Sequence, residues 1–386
     1  MSGHRAIIAG AGIGGLTAAV ALQRLGYEVE VYERAAELRP VGSGLAFTCN
    51  ALTALRSAGI HLDLERTARR WNALTFKTRR GRPIRTIHYQ HFVERFGVPM
   101  LAVHRADIQS SLLAQLDGSP VSYGATVTGY ARDGAGVRVT FSNGMESRGD
   151  LLVGADGFHS AVRRQVVGPE QPRDGGYICW LATPTFAHPV VTPGYAAHYW
   201  GRGERFGLAD IGGGRVYWWG TKNMPPDRAR DWKGDKAEIA RTYAGWAPEI
   251  GAVIAATPED GIINVPAQDR PFGERWGDGP VTLLGDAAHP MMTSLGQGAN
   301  MAIEDGVVLA RCLADAPDVE SGLRRYEDAR RPRTRAMVEA SLALSRVEQL
   351  DSPIGTLLRR LYFRFVPEST LDARNALALD FEGAAR

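Results

Sequence analysis

At 386 residues, with 44% apolar and 23% charged residues, the chain has ordinary globular composition and room for more than one domain, which excludes disorder, collagen and coiled coil as readings of the whole. A formal charge of +3 is too small to point to nucleic acid as a partner; the basic residues are nearly all arginine, the lysines being Lys77, Lys222, Lys233 and Lys236. The scattered cysteines Cys49, Cys179 and Cys312 make no disulfide framework and point to a reducing, cytoplasmic compartment, and no His or Cys pattern has the spacing of a metal site.

Residues 6–22 (AIIAGAGIGGLTAAVAL) follow a basic start and could pass for the apolar core of a secretory signal. The glycines argue otherwise. Gly10, Gly12, Gly14 and Gly15 fit G-x-G-x-x-G between a predicted strand at 6–9 and a predicted helix at 16–25, and a second strand at 28–32 is closed by Glu33. In such a unit the first glycine allows the tight turn, the second lets the backbone approach a pyrophosphate, and the last lets helix and strand pack closely. The acid at the second strand's end accepts hydrogen bonds from a ribose. An acid at 33, not a basic residue, favours FAD or NAD over NADP at this site.

Downstream, 50–58 reads as helix, 74–89 as two strands around a turn, 100–104 as strand and 107–116 as helix. Residues 121–154 read as a β-meander with turns at Asp133-Gly134 and Asn143-Gly144 and DLLVGAD as its last strand. Residues 176–222 are β-rich and aromatic, with Tyr177, Trp180, Tyr199, Trp200, Phe206 and Tyr217 to Trp219 among them. Gly212-Gly213-Gly214 is a turn between those strands and not a second nucleotide loop. Then come a helix at 235–256, a short strand at 281–284, an amphipathic helix at 300–314 and mostly helix beyond Pro317. The run at 324–335 holds six arginines interrupted by Glu327 and Asp328, and reads as a solvated, ion-paired helix face.

Two of these strands end in glycine and acid. LLVGADGFHSAVR at 151–163 runs into Asp156 and Gly157 and then a helix, so Asp156 sits where a capping aspartate would, beside the first loop. LLGDAAHPMMTSLGQGAN at 283–300 ends a strand in Asp286 and opens a helix after Gly296-Gln297-Gly298, a second anion-receptive start.

Gly10–Gly15 with Glu33-Arg34, His104-Arg105-Ala106-Asp107, GADG at 154–157, GDAAHP at 285–290 and GQGAN at 296–300 stand in an order and spacing that resemble one family. It is that of the FAD-dependent single-component (group A) monooxygenases, the aromatic hydroxylases of the para-hydroxybenzoate and salicylate type, with urate hydroxylases and zeaxanthin epoxidases as relatives. The resemblance covers residues 1–335. It implies an α/β fold in which a discontinuous Rossmann-type FAD-binding domain (1–72, 100–172 and 271–318) is interleaved with an antiparallel β-sheet substrate domain (73–99 and 173–270), followed by a helical C-terminal segment at 319–386.

It also implies roles. Gly10, Gly12, Gly14 and Gly15 would contact the pyrophosphate of tightly bound FAD and Glu33 its ribose, with Arg34 and Arg105 flanking the cofactor. Asp156 and Gly157 would touch it, Asp286 would hold its ribityl or pyrophosphate portion, and Gly296, Gln297, Gly298, Ala299 and Asn300 would lie under the isoalloxazine. NAD(P)H would be a transient reductant, and O2 would form a flavin C4a-hydroperoxide that hydroxylates an aromatic or heteroaromatic small molecule. Epoxidation, or a reductase or oxidase without oxygen insertion, are the alternatives. One departure is local: Met291-Met292-Thr293-Ser294 puts Thr293 where many relatives carry a proline.

The aromatic segment suits a dry pocket for a flat substrate. Alternation puts Tyr217 and Trp219 on one face of their strand and Trp218 on the other. Arg205 and Tyr217, on adjacent predicted strands, are the polar groups expected to orient the substrate, and His198 is a third candidate. No membrane span is expected, and the assembly is expected to be a monomer or homodimer.

Overall fold

A computed structural model describes residues 3–38, 43–64, 66–118 and 121–381. The first βαβ unit follows its sequence pattern. The strand Arg5–Ala9 is buried from Ala6 onward, the helix Ile13–Arg24 buries its residues from Ile13 to Leu22, and the strand Glu28–Glu33 pairs in parallel with the first. The helix stops at Leu25 because Gly26, at φ +88°, turns the chain left-handed.

These strands lie inside a six-stranded sheet. Its order is Gly277–Asp278, Val281–Leu283, Leu151–Gly154, Arg5–Ala9, Glu28–Glu33, Val121–Tyr123, all parallel except the hairpin at the first edge. Three strand ends far apart in sequence thus stand side by side. The Ala155 N–H donates to the Ala9 carbonyl (2.8 Å) and the Leu284 N–H to the Gly154 carbonyl (3.0 Å). The carboxyl ends of such strands are where open α/β sheets bind ligands.

DLLVGAD is a correction to the meander. The meander is Val127–Asp133, Gly136–Phe141 and Glu146–Gly149, while Leu151–Gly154 leaves it for the parallel sheet. Every residue of that strand is buried, as in a parallel strand covered on both faces. The true third strand, Glu-Ser-Arg-Gly, has no apolar side chain to announce it.

The second large sheet has seven strands in the order Ile263–Asp269, Arg173–Ala182, Arg215–Asn223, Glu204–Gly212, Ala196–Trp200, Ala73–Thr78, Pro83–His88. It is antiparallel apart from the join between Ala196–Trp200 and Ala73–Thr78. Trp180, Phe206 and Trp218 on one face bury against Tyr243, Ile250 and Val253. The helix expected at 235–256 is two helices, Lys236–Thr242 and Pro248–Ala256; Gly245 at φ +74° turns the chain, and Pro248 suits a helix start. The opposite face carries Tyr217 and Trp219, as alternation required.

Three helices close the molecule: Val319–Glu348, Pro353–Phe365 and Glu368–Leu379. The arginine run is only partly a solvated face. Arg330 and Arg333 are buried against Glu304 and Asp305 of the helix Gly298–Ala314. Arg324, Arg331 and Arg335 remain on the outer side and pair with Glu327, Asp328 and Glu274.

Candidate active site

The glycines of the first corner divide by cause. Gly10 takes φ +105°, and a Cβ on it would stand 2.4 Å from the Ala155 carbonyl oxygen. A Cβ on Gly15 would stand 2.0 Å from the Gly10 carbonyl oxygen, and one on Gly14 would strike Leu284 and Ala302. Packing within the protein explains all three. Gly12 is different: its φ of −69° suits any residue, and a Cβ would meet only Arg105 Nη2, at 3.8 Å. Gly12 caps the helix Ile13–Arg24, whose first N–H groups have no preceding carbonyls to bond, and Gly12 to Gly15 line an open cavity. That space suits an anionic group, with the Arg105 guanidinium beside it.

The other corners are fastened to this one. Glu33 accepts the N–H groups of Ala11 and Ala35, both at 2.9 Å, so its carboxylate ties the glycine loop to the strand end. Ser160 is the N-cap of the helix Ala161–Val167 and accepts the Arg163 N–H at 2.8 Å. Asp156 supplements it by accepting the Ala161 N–H at 2.7 Å, and its other oxygen, Oδ1, is buried without a hydrogen-bond partner among the described residues. Arg163 on that helix donates to the carbonyls of Ala287 and Ala288 at 3.0 and 2.8 Å, which joins the second corner to the third. Gly157 lines the cavity, whereas Arg34 is exposed and lies outside the lining.

At the third corner the Asp286 side chain is open to the cavity between buried Gly285 and Ala287. A Cβ on Gly298, at the start of the next helix, would approach Asp286 Oδ1 no closer than 3.8 Å. Gly296, at φ +63°, ends the short turn Thr293–Leu295, and Thr293 itself lines the cavity. Gln297 and Asn300 spend their side chains on the scaffold. Gln297 donates to Thr48 (3.2 Å) and accepts from Asn50 (3.1 Å), while Asn300 donates to Ala46 and Gly296 (both 3.0 Å). Gly296, Gln297, Gly298 and Ala299 nonetheless form part of the cavity wall.

This corner rests on a charged core that the sequence did not announce. Asp305 accepts the Gly285 N–H (3.0 Å), His289 Nε2 lies 2.6 Å from it, and Arg330 donates to it at 2.7 Å. Burial alone would raise its pKa, yet His289 and Arg330 hold the carboxyl down at about 2. Glu304 beside it takes Arg330, Arg333 and the Asn50 amide.

Across the cavity, Arg205 is buried and pairs with Glu348 at the end of the long C-terminal helix, and it donates to Thr221 at 3.1 Å. His198 Nδ1 lies 3.5 Å from the same Glu348, and His198 Nε2 is buried without a hydrogen-bond partner among the described residues. Burial, then the nearby Arg205 and Arg359, hold His198 well below its usual 6.5, so the ring is neutral. Burial raises the Tyr217 phenol above its usual 10, so it stays protonated. Arg205, Tyr217 and His198 thus share one wall, with Trp219 5.2 Å from Tyr217 and 5.6 Å from His198 between ring centres. Glu348 and Arg359 are the site residues that sequence reasoning missed.

The family described as "FAD binding domain" matches residues 4–341. Aurachin C monooxygenase/isomerase from Stigmatella aurantiaca is 35% identical over 381 residues, which is 98% of this chain and 99% of that protein. An FAD-dependent urate hydroxylase from Klebsiella pneumoniae is 34% identical over 337 residues, 86% of this chain and 88% of its own length. The crystal structure of Klebsiella pneumoniae HpxO complexed with FAD and uric acid has a TM-score of 0.89 to this fold at 29% identity, covering 97% of this chain and 96% of that one. The open space over Gly12, the exposed Asp286 and these likenesses converge: the chain belongs to the FAD-binding-domain family and is one of its FAD-dependent monooxygenases.

Proposed function

We propose that this chain uses NAD(P)H and O2, with bound FAD, to hydroxylate an aromatic or heteroaromatic small molecule. One observation carries the reading: a single cavity of about 1340 Å3 joins the three glycine and acid corners to the aromatic inner face of the large sheet. FAD bound at the corners would, once reduced by the nicotinamide, activate O2, one oxygen atom going to the substrate and the other leaving as water. Gly12, Arg105 and Gly157 would hold its phosphate end and Asp286 its ribityl or pyrophosphate portion, with Gly296 to Ala299 beneath the ring. The protein does the rest. Tyr217 and Trp219 give a flat wall, and Leu181, Leu344 and Met337 exclude water that would waste the oxygen.

Arg205 pairs with the Glu348 carboxylate and Arg359 donates to the Glu348 main-chain carbonyl, so this cluster of two guanidiniums and one carboxylate has one positive charge in excess and favours a substrate carrying a phenolate, carboxylate or ring anion. His198 Nε2 offers one further hydrogen bond. Burial pushes the Cys49 and Cys179 thiols up to about 11, which makes them poor nucleophiles and suits a structural role.

The test is turnover under oxygen-18 gas with candidate aromatic anions. One labelled oxygen per product and matched NAD(P)H consumption is expected. Substrate-stimulated consumption that yields only peroxide and unlabelled product would overturn the proposal. Asp286→Ala should purify largely colourless; full yellow colour would sink that part of the site map.

A further inference from the structure

The helix Pro353–Phe365 is anchored by its narrow side. Arg359 donates to the Gly201 carbonyl at 2.7 Å and its guanidinium lies 4.7 Å over the Trp200 ring, while Phe363 packs 4.5 Å from Trp200 between ring centres. The broad side faces outward and is apolar. Ile354, Leu357, Leu358, Leu361, Tyr362 and Phe365 are all exposed, with Ile354 at 73% and Phe365 at 71%. Of the thirteen large exposed hydrophobics among the described residues, these six share one face of one helix, which is a patch and not scatter. Arg360 and Arg364 border that face, and the helix holds no acid.

Leu358 and Tyr362, with Leu377 of the next helix, are both exposed and part of the cavity wall, so the apolar face is also the cavity's mouth. At 13 residues the helix is too short to span a bilayer, and among the described residues no helix is long and apolar enough to do so. An apolar face with a basic border and no acid is the pattern of a helix lying in a lipid interface. A symmetric contact between two copies would instead bring two such basic borders into one interface with no acid on the helix to pair them.

We infer that the helix Pro353–Phe365 docks the enzyme on an anionic lipid surface, so that a lipid-dissolved aromatic substrate enters the cavity at Leu358, Tyr362 and Leu377 without crossing water. The docking goes beyond the hydroxylase reading, and only the nature of the entering substrate rests on it. Its test needs no turnover, so failure of one leaves the other standing.

Holoenzyme is pelleted with vesicles of phosphatidylglycerol and phosphatidylcholine, and with phosphatidylcholine alone. It should partition to the anionic vesicles, less so with added salt. Ile354→Glu/Phe365→Glu should lower that partition about a hundredfold with FAD absorbance retained. Met145→Glu/Val190→Glu, which places the same charges at exposed apolar positions elsewhere, should bind as wild type. Should the first variant fail to fold, Arg360→Ala/Arg364→Ala should weaken anionic binding by roughly thirtyfold. Wild type left in the supernatant of both vesicles overturns the inference. So does a dimer by light scattering that Ile354→Glu/Phe365→Glu splits, since the face would then belong to a second copy.

Discussion

Gly12 and Gly15 look alike in the motif but answer to different forces. Gly15 lies against the Gly10 carbonyl, so Gly15→Ala forces the loop apart and should prevent accumulation of folded protein. Gly12 faces open space, so Gly12→Val should keep its circular dichroism spectrum while its FAD affinity falls at least about tenfold. Equal FAD affinity would show that the space over Gly12 is not the cofactor's. Arg205 and Glu348 give a second test. Removing one partner strands the other in the interior, so Arg205→Gln should cost about 3 kcal/mol in urea unfolding. Arg205→Met/Glu348→Leu should regain most of that stability without regaining activity. Gly12 and Asp286 were legible because a nucleotide demands a residue type at a fixed spacing from a strand. Glu348 was not, because its partner lies 143 residues away and nothing local marks it.

Two helices meet at the third corner through charge. The helix Gly298–Ala314 contributes Glu304 and Asp305, and the helix Val319–Glu348 contributes Arg330 and Arg333. Asp305 is held at about 2 against its usual 3.8. A depressed carboxylate stabilises the fold fully above its unfolded value and loses that contribution as pH falls through its folded one. Asp305→Asn should therefore cost about 2 kcal/mol near neutrality, and the gap from wild type should narrow between about pH 4 and 2. A gap unchanged over that range in urea titrations would refute the assignment. The charge pattern of the arginine run alone could not say which residues face inward, because the acids that receive Arg330 and Arg333 sit on a different helix. The strand at Leu151–Gly154 was legible as a strand, but its sheet was not, since apolar residues on both faces do not name their neighbours.

At the scale of the molecule, the chain crosses repeatedly between the parallel sheet and the seven-stranded sheet, and one cavity lies between them. Neither half keeps its site alone. Thermal unfolding should thus be a single transition for both, and FAD at about a hundred times its dissociation constant should add about 2.7 kcal/mol. Two resolved transitions in calorimetry, only one of them shifted by FAD, would contradict this coupling. The strand order has one more consequence, for synthesis. The strand made first, Arg5–Ala9, is an interior strand whose neighbour Leu151–Gly154 emerges from the ribosome only much later. At about 5–20 residues per second the backbone edge of Ile7 and Ile8 that faces this neighbour stays unpaired for roughly 7–30 seconds, a window in which a nascent chain is open to edge pairing with other chains.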